Sequence, residues 1–91
     1  MVVKMYNIEL VKTCGACPEQ YDAYFKGDQV GYLRLRHRVF RVDYGFCGGD
    51  TIFTEYPEGD GCFEEDEREY YLDLACKAIM DEMIKRGHTD V

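Results

Sequence analysis

The segment Cys14-Gly15-Ala16-Cys17 sets two thiols two residues apart, the gap at which a pair of thiolates can grip one tetrahedral metal ion. A complete zinc site needs two further ligands, and His37 and Cys62 are the available donors if the strands run back and forth. In a meander, the strands before Cys14, His37 and Cys62 all finish at one end of the sheet, with Cys47 at the other. The candidate metal set is therefore Cys14, Cys17, His37 and Cys62, set against the plainer reading of free thiols in loops. A thiol-redox role requires the first cysteine at a helix N-terminus, where the dipole favours thiolate. Pro18 and the strand pattern after it do not supply that helix. Cys76 falls on an apolar helix stripe and is expected in the core.

Two charged constellations offer binding chemistry. Tyr32, Arg34 and Arg36 alternate along one strand face, and Arg41 can join them from the neighbouring strand. Guanidinium groups beside a tyrosine suit phosphates, nucleotides or carboxylates, through bidentate hydrogen bonds and stacking. The competing reading is pairing with the chain's own acids, or plain solvation. The second constellation is acidic: Glu64, Glu65, Asp66, Glu69 and Asp73 place carboxylates where they can imitate a row of phosphates and occupy a partner's basic groove. A solvated first helical turn, stabilised by the helix dipole, accounts for the same acids without a partner. The loop Glu58-Gly59-Asp60-Gly61 falls short of calcium-loop spacing.

Enzyme readings have less to stand on. The chain has no serine, no phosphate-cradling Gly-Lys-Ser/Thr loop and no dinucleotide glycine fingerprint. A Cys47 and His37 dyad is separated by the length of the sheet in the meander, too far for proton transfer. No catalytic role is expected, and no cofactor beyond the zinc that the cysteines would hold.

The elements that position these residues follow from hydropathy patterning. Residues 2–12 alternate and predict one strand. After the Gly/Pro-broken cysteine loop, residues 20–25 and 30–36 form a hairpin about Lys26-Gly27-Asp28. The chain turns at His37 and Arg38 and resumes with Phe40, Val42 and Tyr44. Gly45 to Asp50 reads as a turn, and Thr51 to Tyr56 as a fifth strand ended by Pro57. Leu72, Ala75, Ile79 and Met83 mark the buried stripe of a helix over residues 64–86, with acids at its start, Lys85 and Arg86 at its end, and Gly87 as the left-handed cap. The expected fold is α+β: an antiparallel meander of about five strands with one C-terminal amphipathic helix packed on one face, in a single domain spanning residues 1–91.

Composition limits the partners. A net charge of −7 with 46% hydrophobic residues describes a folding chain whose acidity argues against direct nucleic-acid binding and favours a protein with a basic surface. Nine of the eighteen acids lie between Glu55 and Asp73, whereas Arg34, Arg36, Arg38 and Arg41 share a stretch without acids. The molecule should be bipolar. Five cysteines are an odd number, and the start lacks a secretory apolar stretch, so reduced thiols and a cytoplasmic location are expected. No apolar run is long enough to suggest a membrane anchor.

Tyr21 to Leu35, with Val30-Gly31-Tyr32 at its centre, resembles the central hairpin of GNAT acetyltransferases over about a sixth of the chain. The likeness stops there, because no Gln/Arg-x-x-Gly-x-Gly/Ala loop opens a helix, and acetyl-CoA binding is not implied. Three segments, Cys17-Pro18-Glu19-Gln20-Tyr21, Gly31-Tyr32-Leu33-Arg34-Leu35-Arg36-His37 and Gly59-Asp60-Gly61-Cys62-Phe63, together resemble a small family of phage and mobile-element proteins. That resemblance implies an accessory protein. Small acidic members of that setting are similar to anti-defence inhibitors such as anti-CRISPRs, which block host nucleic-acid-targeting enzymes at their basic surfaces.

Overall fold

The computed structural model describes residues 2–14 and 17–87. In chain order the elements are β1 (Val2–Met5), β2 (Ile8–Lys12), β3 (Glu19–Phe25), β4 (Asp28–Arg36), β5 (Val39–Tyr44), β6 (Asp50–Glu55) and α1 (Arg68–Lys85). The strands pair antiparallel in sequence order, so the sheet is a six-stranded meander, with the helix on one face.

The extra strand comes from residues 2–12, where one strand was expected. Tyr6 and Asn7 adopt left-handed backbone with φ of 52° and 66°, and Met5 pairs directly with Ile8 across the resulting two-residue turn. Consecutive positive φ values suit the right-handed twist of the flanking strands, and asparagine tolerates this region better than most residues. Without Gly or Pro to mark it, the turn is hidden inside an alternating pattern. The same turn chemistry recurs at Lys26-Gly27 and at His37-Arg38, both positions expected to turn.

The helix also begins later than expected, at Arg68 instead of residue 64. Residues 64–67 form a turn in which the Glu67 amide bonds the Glu64 carbonyl at 3.1 Å. The Glu67 carboxylate points back to the preceding loop, where it accepts the backbone N–H groups of Glu58, Gly59 and Glu64 at 3.0, 2.8 and 2.8 Å. Three amide donors for one carboxylate favour this loop cap over another helical turn. Burial pushes Glu67 upward, but those amides outweigh it and hold its pKa below the ordinary value. At the other end Gly87 takes the left-handed conformation, φ 98°, as expected of the cap.

The helix buries Leu72, Ala75, Cys76, Ile79 and Met83. They face Leu10, Ala23, Leu33, Leu35, Phe40 and Val42, which alternate into the core from β2 to β5. Gly31 permits the closest approach: a Cβ there would lie 2.6 Å from Ile79 Cδ1. Burial pushes the Cys76 thiol up to about 12, as expected for an inert core cysteine. No helix among the described residues is long and apolar enough to cross a membrane.

Candidate functional site

The even-numbered strands all finish at one end of the sheet, and there the meander gathers the cysteine loop and the 58–63 loop. Cys17 and Cys62 meet in a disulfide across 45 residues of sequence. Thus the thiols expected to stay free are, for these two, bonded to each other, and in this form neither sulfur is a thiolate ligand for zinc. Cys14 is a free, half-buried thiol, and Gly15 and Ala16 of the same loop lie outside the described residues. His37 occupies the turn after β4 with φ 54°. Among the described residues no cluster of three or more His, Cys, Asp or Glu is arranged to hold a metal ion. Cys47 is exposed in the loop after β5, at the far end, as expected from the topology.

Beside the disulfide lies a buried polar network. Glu19 shares a strand face with Tyr21 and Ala23 and is only 1% exposed. Its Oε2 accepts Tyr21 OH at 2.5 Å and Arg68 Nε at 2.8 Å, while Oε1 accepts the Phe63 N–H at 3.0 Å and Arg68 Nη2 at 3.2 Å. Burial pushes the Glu19 carboxyl up, yet Arg68, Tyr21 and the Phe63 amide outweigh it and hold it below the ordinary range. Burial, and then the Glu19 charge, raise the Tyr21 hydroxyl. Arg68 Nη1 reaches Glu65 at 2.8 Å, and the two carboxylates raise the arginine further. Sequence reasoning did not single out Glu19, Tyr21 or Arg68. The available signal was alternation, which puts Glu19 on the core face and obliges it to find a cation.

The five acids expected to form one contact face separate into three settings. Glu64 and Asp66 join Glu58, Glu67, Tyr70 and Tyr71 around a shallow concavity of about 350 Å³. Tyr70 is 62% exposed, and it meets the Tyr71 ring edge-on with centroids 5.0 Å apart. Glu65 and Glu69 lie around the helix start beside Arg68, lining a second concavity against Val3 and Met5 of β1. Asp73 is half-buried, and its carboxylate beside the Tyr6 hydroxyl raises that phenol's pKa. Among the described residues, Glu64, Asp66 and Glu69 make no ion pair, whereas Glu65 is engaged by Arg68.

On the opposite sheet face, Arg34 of β4 lies directly across from Arg41 of β5 and from Gln20 of β3. Arg34, Arg36, His37, Val39 and Arg41 surround a concavity of about 210 Å³. Tyr32, expected beside the arginines as a stacking surface, is only 7% exposed, and its hydroxyl donates to Gln20 Oε1. Its phenol is raised by burial first, with Cys47 adding to the effect and Arg34 and Arg41 opposing it. A ligand base therefore has little Tyr32 ring to stack upon.

Comparisons of the chain with protein families, with curated proteins and with solved structures find no match.

Proposed function

We propose that this chain is a stoichiometric protein-interaction module whose acidic, tyrosine-flanked face docks on the basic surface of a nucleic-acid-binding enzyme, as a phage or mobile-element inhibitor would. The observation that carries this reading is the concavity at the loop-to-helix junction, where Glu58, Glu64, Asp66 and Glu67 gather around Tyr70 and Tyr71. Carboxylates spaced over a surface attract the lysines and arginines that ordinarily bind a phosphate backbone, and exposed tyrosine adds contact area at small entropy cost. Glu67 is committed to capping the loop, and among the described residues Glu64 and Asp66 pair with no cation. Exposed Glu69 extends the acidic surface along the helix, and Glu65 and Asp73 lie at its margin. The role is binding without catalysis, and it needs no cofactor.

The test is a triple charge reversal, Glu64→Lys, Asp66→Lys and Glu69→Lys, compared with the unaltered protein in nuclease-treated lysate capture. The reading expects a stoichiometric nucleic-acid-binding enzyme, competed off by that enzyme's own nucleic acid, weakened by salt and lost on reversal. A partner retained by the reversed variant, or one indifferent to competing nucleic acid, overturns it.

A further inference from the structure

From the arginine face we infer that the chain carries a second, independent site, a phosphate-binding cradle formed by Arg34, Arg36 and Arg41. Arg34 and Arg41 are direct cross-strand partners, so their Cβ atoms stand about 5 Å apart on one face, and like charges placed so are destabilising unless something neutralises them. Arg36 follows two residues along β4 on the same face. The chain has a net charge of −7, so carboxylates are abundant. Among the described residues, none of them lines the concavity formed by Arg34, Arg36, His37, Val39 and Arg41.

Arg41 is held from behind. Its Nε lies 3.1 Å from Asp43 Oδ1, an ion pair in which that nitrogen makes no hydrogen bond. Asp43 is 1% exposed and is itself fixed by Thr51 Oγ1 at 2.9 Å and the Gly48 N–H at 3.1 Å. The buried carboxylate attracts Arg41 by one edge, and among the described residues its terminal nitrogens make no ion pair or hydrogen bond. Among the described residues, Arg34 and Arg36 have neither an ion pair nor a side-chain hydrogen bond. Three guanidinium groups around one small hollow, one of them paired with a buried carboxylate, match the oxygens of a tetrahedral dianion.

The size of the hollow selects the ligand class. About 210 Å³ is smaller than the roughly 300–1,000 Å³ of pockets that enclose whole drug-sized ligands. Tyr32 offers almost no ring surface beside it. The cradle thus takes the phosphate group of a small molecule, either inorganic phosphate or the phosphate of a nucleotide whose remaining atoms extend into solvent.

The experiment is an NMR titration of the full chain, following arginine Nε–Hε and backbone amides at constant ionic strength. Inorganic phosphate and AMP are the probes, and acetate is the control anion. Saturable shifts at Arg34, Arg36 and Arg41 with phosphate, weakened about tenfold in Arg34→Gln and unchanged in Arg38→Gln, are expected. Among the described residues Arg34 makes no ion pair or side-chain hydrogen bond that the substitution would break, and Arg38→Gln removes the same charge from outside the hollow. Equal affinity for phosphate and AMP identifies the free anion as sufficient, and tighter AMP binding identifies a nucleotide; either supports the site. Linear shifts, equal responses to acetate, or equal weakening in both variants overturn it. Because the acidic concavity and the arginine hollow share no lining residue, this result and the charge-reversal result stand or fall separately.

Discussion

Arg68 and Glu19 stand 49 residues apart in sequence, and the arginine Nε donates to the carboxylate at 2.8 Å. That contact joins the first residue of the helix to the first residue of β3. The Glu19 amide bonds the Gly61 carbonyl at 2.6 Å, and its carboxylate accepts the Phe63 N–H, so the intervening loop is tied to the same strand. The disulfide from Cys17 to Cys62 closes the arrangement one step away. Since Glu64 and Asp66 follow directly on this loop, the acidic face is held by the buried pair and not by the helix alone.

The pair should make stability depend on acid pH. The folded-state pKa of Glu19 lies below its ordinary value of 4.5, so its contribution is present above that value and is lost as pH falls through the depressed folded one. Glu67 is shifted in the same direction and adds to the slope. Urea unfolding between neutral pH and pH 3 should show this decline, and Glu19→Gln should flatten it while costing about 2 kcal/mol at neutral pH. An unchanged slope in that variant would remove Glu19 from the linkage.

Thiol chemistry should divide the five cysteines into three classes. Native alkylation should reach exposed Cys47 and half-buried Cys14, denaturation should add Cys76, and reduction should add Cys17 and Cys62. Mass spectrometry counts each step. A loop of this length loses enough chain entropy on cross-linking that reduction should destabilise the fold by about 4 kcal/mol. Five adducts before any reductant is added would mean that the pair is not formed.

Gly59 is the sharpest steric point in the loop. A Cβ there would stand 2.1 Å from the Cys62 carbonyl oxygen and 2.9 Å from Glu67 Oε2. Gly59→Ala should therefore displace the backbone and the cap together, costing about 2 kcal/mol in chemical unfolding. Amide shifts should concentrate at residues 58–67, and shifts dispersed over the whole sheet would contradict this account.

Much of the architecture is legible in the order of residues. Alternation assigns Ile8, Leu10, Leu33 and Leu35 to strands, while the 3.6-residue spacing of Leu72, Ala75, Ile79 and Met83 assigns the helix face, because these periods follow from backbone geometry alone. The arginine cluster is also readable, since cross-strand register follows from the tight turn at His37-Arg38. Three things depend on tertiary contact. Tyr6 and Asn7 turn without Gly or Pro because the strands on either side require their twist. The helix starts at Arg68 because the Glu67 carboxylate serves three loop amides from a distant segment. Alternation puts Glu19 on the core face, but the guanidinium that balances its charge comes from 49 residues away and only the fold selects it. Local periodicity specifies which way a side chain faces; only the folded chain decides what it meets there.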